Sequence, residues 1–194
     1  MSGAHVAAYG NASPVFGEEV FLAPLCAVVG DVVLGDRVSV WYGAIVRGDV
    51  HSIRVGEETN LQDGAVLHGL LGRWPVVIGR RCSIGHQATI HGAVLEDEVL
   101  VGIGARVLDG ARIGKRSLVA AGSVVREGME VPAESLVAGV PAVVKRRLHP
   151  EEIQRVVETP DRYLGYARRT REALLAAGAQ DPFPPAGPWR PTGS

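Results

Sequence analysis

Residues 101–137 read VGIGARVLDGARIGKRSLVAAGSVVREGMEVPAESLV, and in them Val101, Val107, Ile113, Val119, Val125, Val131 and Val137 fall at every sixth position. Followed toward the N-terminus, the series loses one residue to reach Leu95, then continues through Ile90, Ile84 and Ile78. An insertion separates these from Leu67, Leu61 and Val55. A three-residue slip then leads to Val46, Val40, Leu34, Val28, Leu22 and Phe16. Of these 20 positions, 19 hold Ile, Leu or Val. A period of six matches neither the 3.6 of a helix nor the 2 of a plain strand, but it matches a short strand followed by a corner. Three such units close a triangular coil, and 20 units make about seven coils stacked ~4.8 Å apart. The aliphatic residue points inward. Small residues two positions before it, among them Cys26, Ala44, Ala65, Cys82, Ala88 and Ser117, fit the narrow interior near a corner. Glycine follows it at Gly17, Gly35, Gly56, Gly79, Gly85, Gly102 and Gly114, where backbone freedom for the turn is expected.

The composition agrees with such a solenoid. In 194 residues there are 25 Gly, 46% hydrophobic residues and only 5% aromatics, which describes an aliphatic core with many corners. A formal charge of -1 leaves no basic footprint for nucleic acid or an anionic membrane, and every apolar run is too short to span a bilayer. Two cysteines cannot build a disulfide framework, and no charged-then-apolar leader stands before residue 25, so a cytoplasmic location is expected. After Val137 the repeat gives way, and the expected boundaries are a β-helix domain over 1–141, a helical segment over 142–178 and a Pro-rich, disordered or surface-draped tail over 179–194. Pro150, Glu151 and Glu152 suit a helix start, Pro160 is expected to break that helix, and Asp161 to cap a second one ending near Gly178.

Chemistry concentrates around the insertion, where His68, His86 and His91 lie within 24 residues. His68 follows Leu67 and His91 follows Ile90, three repeats apart once the insertion is looped out, so they stack on one face a single coil apart. That spacing suits two nitrogens bound to one metal at ~2.0–2.1 Å. It is equally the spacing of ordinary polar side chains on an exposed face. His86, two after Ile84, lies on another face and reaches the pair only from a neighbouring subunit packed around a threefold axis. Three protein ligands with a fourth position open are the mark of catalytic zinc.

Arg47-Gly48-Asp49, Asn60-Leu61-Gln62-Asp63, Gly85-His86 and Ile90-His91-Gly92, taken together, resemble the gamma-class carbonic anhydrases and their carbonic-anhydrase-like relatives over residues 10–170. The left hand of the helix comes from this resemblance and not from the spacing. The resemblance implies a homotrimer with Zn2+, or Fe2+ or Co2+, between subunits. His68 and His91 then come from one chain and His86 from the next, Arg47 and Asp49 form an interface ion pair, and Gln62 orients the hydroxide that attacks carbon dioxide. Asn60 matches a substrate-side asparagine, and Tyr163 a tyrosine near the site. The glutamates that serve proton transfer in the best-studied type of the family are missing here: Val50 follows Asp49, and the insertion Gly69-Leu70-Leu71-Gly72-Arg73-Trp74-Pro75 holds no acid, so that His51 is either a substitute or a solvated surface histidine. The competing readings are a metal-dependent thioesterase, a hexapeptide acyltransferase, and a non-catalytic metal-binding subunit of a larger assembly.

Overall fold

An inward aliphatic residue at every sixth position leaves room for strands of two or three residues between corners. The computed structural model, which describes residues 3–188, has that architecture. One face stacks Phe21–Leu22, Ser39–Val40, Asn60–Leu61, Ser83–Ile84, Leu100–Val101, Leu118–Val119 and Ser135–Gly139 in parallel register, giving about seven turns. A second carries Val66–His68, Thr89–His91, Arg106–Val107 and Val124–Val125, and a third Val76–Ile78, Val94–Leu95, Arg112–Ile113 and Glu130–Val131. Two longer strands, Ala27–Leu34 and Ile45–Val55, bend from the second face onto the third, and the slip in the repeat is absorbed where their register shifts after Gly30. All 20 repeat positions are buried, none more than 5% exposed.

The corners divide two tasks that the sequence reading had assigned to one glycine. Positive φ occurs three residues after the inward aliphatic, at Arg37, Glu58, Arg81, Gln87, Glu98 and Arg116 as well as at Gly64 and Gly104. The glycine directly after the aliphatic serves close approach of neighbouring coils instead: a Cβ on Gly85 would stand 2.7 Å from the carbonyl oxygen of Val101. Both cysteines lie in the interior, where burial pushes the thiols of Cys26 and Cys82 up to about 12, so they act as small apolar fillers.

The C-terminal region differs from expectation in two respects. Residues assigned to the helical segment begin with a strand, Ala142–Arg147, paired antiparallel with Ser135–Gly139 at the end of the solenoid. One helix, Pro150–Ala176, then runs through Pro160 without a break. Pro160 is buried against the solenoid, and Arg81 donates both to the Val157 carbonyl at 3.1 Å and to Asp161 at 2.9 Å, tying the helix down on either side of it. Packing therefore outweighs the ~3 kcal/mol that an interior proline costs. Of the two alternatives for the tail, its described part takes the surface-draped one: Phe183 packs on Phe21, Leu22 donates to the Pro182 carbonyl, and Gly187–Pro188 pairs with Val15–Phe16. Residues 189–194 of the expected tail lie outside the described residues.

Candidate metal centre

Two columns of side chains on the solenoid surface hold the candidate residues. In the first, Arg47, His68 and His91 are Cα partners across successive parallel strands. Stacking sets His68 and His91 a coil apart with ring centroids 5.1 Å from each other, and brings His68 Nδ1 to 3.1 Å from His91 Nε2. Two ligands of a tetrahedral ion at ~2.0–2.1 Å stand about 3.4 Å apart, so the pair is already at nearly ligand spacing.

The remaining ring nitrogens are both occupied. His91 Nδ1–H donates to Asp109 Oδ1 at 2.7 Å, and His68 Nε2–H donates to Asp49 Oδ1 at 3.1 Å. The remaining contact, His68 Nδ1 to His91 Nε2, is at a distance that either a shared proton or a metal ion bridges. Burial, and next the Arg47 guanidinium, hold His68 below the usual imidazole range, which keeps it neutral and able to ligate. Burial opposes ionisation of Asp49, but the hydrogen bond from Arg47 leads the effects that bring its carboxyl below the ordinary range. The Arg47–Asp49 pair closes within one chain.

The second column stands at a corner. Backbone N–H groups of Gly64, Gln87, Gly104 and Gly122 donate in turn to the carbonyls of Tyr42, Asp63, His86 and Ile103, which stacks those four residues coil upon coil. Asp63 Oδ2 lies 2.9 Å from His86 Nδ1, so this histidine too has its own carboxylate and presents Nε2 outward, 3.5 Å from the Tyr163 hydroxyl. Burial pushes that phenol up to about 12, so Tyr163 stays protonated.

Beside His86, Gln62 is 7% exposed and its Nε2 donates to Asn60 Oδ1 at 3.0 Å. Asn60, 1% exposed, spends its own N–H groups on Ser83 Oγ at 2.8 Å and the Cys82 carbonyl at 3.3 Å. That network fixes the orientation of the Gln62 amide and leaves its Oε1 free as an acceptor. Asn60 has no group left for an outside partner, so its side chain acts on Gln62.

Among the described residues, no three His, Cys, Asp or Glu side chains of one chain gather around a metal position. His68 and His91 converge, and His86 is in the other column. The donor set fits a metal all the same, because each of the three imidazoles is oriented by a carboxylate, the usual support of a metal-bound histidine. The sequence reading missed Asp109 in this role. Its signal was register: Gly110 N–H donates to the Gly92 carbonyl, which puts Asp109 one coil beyond His91.

No family model matches the chain. Among curated proteins, "Probable carbonic anhydrase" of Methanocaldococcus jannaschii is 45% identical over 150 residues, 77% of this chain and 94% of that protein. "Carbonic anhydrase" of Geobacillus kaustophilus is 40% identical over 146 residues, 75% of this chain and 80% of that one. "Gamma carbonic anhydrase 2, mitochondrial" of Arabidopsis thaliana is 40% identical over 161 residues, 80% of this chain, and the match spans 58% of the plant protein's length. Among solved structures, a hexapeptide transferase family protein from Anaplasma phagocytophilum superposes with a TM-score of 0.81 at 36% identity, covering 85% of this chain and 97% of that one. A Bacillus cereus protein named as a candidate acetyltransferase superposes at 0.85 with 29% identity, covering 89% and 99%. Fold and relatives together define a left-handed parallel β-helix of the hexapeptide class. Within that class the chain belongs to the gamma carbonic anhydrase family.

Proposed function

We propose that this protein is a metal-dependent carbonic anhydrase that interconverts carbon dioxide and bicarbonate at sites shared between subunits of a homotrimer. The observation that carries the reading is the pairing of imidazoles: His68 and His91 meet at 3.1 Å, each beside its own aspartate, with His86 similarly supported in a separate column. His68 and His91 of one chain and His86 of its neighbour would hold Zn2+, with Fe2+ or Co2+ as alternatives. A catalytic zinc in such a site supplies acidified water, of pKa ~7, as the nucleophile for the carbon of carbon dioxide.

The chain's own groups do the rest. Gln62, held by Asn60, accepts a hydrogen bond at Oε1 and so aims the nucleophile's remaining lone pairs at the substrate. The Tyr163 hydroxyl, protonated throughout the working range, supplies a donor beside His86. Arg47 keeps Asp49 ionised, and Asp49 keeps the His68 proton on Nε2. Exposed apolar side chains flank both columns, Tyr42 and Ile103 beside His86 and Ile45 beside Arg47, which supports a closed trimer burying them. A cytoplasmic location agrees with the archaeal and Geobacillus relatives, whereas the plant relatives are named mitochondrial. Among the described residues no helix is long and apolar enough to cross a membrane.

The test is metal content per chain of freshly purified protein together with carbon dioxide hydration across pH. About one metal per chain is expected, with a rate that rises through neutral pH and responds to added imidazole, since the insertion carries no acid for proton transfer. Metal-free protein that turns over acyl-CoA would replace this reading with the acyltransferase one, and metal-loaded protein that turns over acyl-CoA in place of carbon dioxide with the thioesterase one.

A further inference from the structure

Two features meet beside His91 whose joint role the reading above leaves open: Asp109, and the insertion that interrupts the hexapeptide period. Asp109 accepts the His91 Nδ1 proton at 2.7 Å with its side chain 19% exposed. The insertion folds back on itself through Leu70 N–H to the Trp74 carbonyl at 2.9 Å and Trp74 N–H to the Leu70 carbonyl at 3.1 Å, and this delivers Trp74 to the same place. A Cβ on Gly92 would lie 2.8 Å from Trp74 Cβ and collide with Asp109 Oδ1. A Cβ on Gly110 would stand 3.1 and 3.2 Å from two carbons of the indole. The glycines directly following His91 and Asp109 therefore clear the space that the carboxylate and the indole occupy.

We propose that Asp109 is the positioning residue for His91 and that Trp74 roofs their hydrogen bond. The carboxylate holds the His91 proton on Nδ1, so that Nε2 faces His68, and the indole keeps water from competing for the carboxylate. The metal consequence rests on the function proposed above, but the tautomer is a property of the metal-free chain and can be read independently.

The experiment uses zinc-free trimer labelled with 15N, comparing wild type with Asp109→Ala, Asp109→Asn and Trp74→Ala. Histidine nitrogen shifts report the His91 tautomer, and Zn2+ titration against a chromophoric chelator reports affinity. In wild type, His91 should be protonated at Nδ1. Asp109→Ala should mix the tautomers and weaken Zn2+ binding 10- to 100-fold with circular dichroism unchanged. Asp109→Asn, which keeps an acceptor oxygen, should recover part of that loss, and Trp74→Ala should weaken binding less than Asp109→Ala. Wild-type His91 protonated at Nε2, or an Asp109→Ala protein with the wild-type tautomer and affinity, overturns the proposal. Should Asp109→Ala fail to fold, Asp109→Asn and the wild-type spectrum still decide it. Wild type that takes up no Zn2+ overturns the metal reading alone, and the spectra then judge Asp109 separately.

Discussion

Gln62 and Asn60 form a unit whose order of action follows from their hydrogen bonds. Gln62→Ala removes the outward acceptor, and Asn60→Ala removes the group that aims it; both leave all three histidines in place. Either substitution should lower the turnover number at least tenfold while metal content stays near wild type, measured by elemental analysis and hydration rate on the same sample. Metal loss in step with activity would make Gln62 a structural residue of the site. The stack of His68 on His91 was legible in the sequence because register alone determines it. The role of Asn60 was not: a resemblance places it beside substrate, whereas the structure turns its side chain inward to Ser83 and Cys82. Asp109 was hidden for a different reason, since an aspartate followed by glycine at a corner is ordinary turn chemistry until the neighbouring coil is in view.

The short strands draw their stability from stacking, so a cavity made in mid-stack is felt by the coils on both sides. Ile84, fully buried between Leu61 and Val101, should cost about 2–5 kcal/mol on replacement by Ala, read from denaturant unfolding. The C-terminal helix was only partly legible. Its start could be read, but the break expected at Pro160 did not occur, because propensity carries no information about Arg81 reaching the Val157 carbonyl from the solenoid. At the helix start the Arg146 guanidinium, followed by the His149 N–H, draws the Glu152 carboxyl down to about 2. A carboxyl lowered on folding stabilises the folded state above its unfolded value of ~4.3 and loses that contribution as pH falls toward 2. The melting temperature of wild type should therefore exceed that of Glu152→Gln at pH 6, with the gap narrowing as pH is lowered through 4. A gap independent of pH would show that the ion pair contributes nothing there.

The two histidine columns occupy separate parts of one prism, so the account requires a neighbouring chain for every site. That requirement is directly testable by complementation. His68→Ala and His86→Ala chains, each inactive alone, are mixed in equal amounts and allowed to re-form trimers at random. An intact site arises only where a His86→Ala chain contributes His68 and His91 and a His68→Ala chain contributes His86. Roughly three quarters of the trimers are mixed, and each of these holds one such interface of three, so about one quarter of wild-type metal binding and hydration should return. A mixture of His68→Ala with His91→Ala should return nothing, because both lesions fall on the same contribution. Recovery near one quarter in the first mixture with none in the second is the predicted result; no recovery in the first mixture, or equal recovery in both, would contradict a metal site shared between subunits.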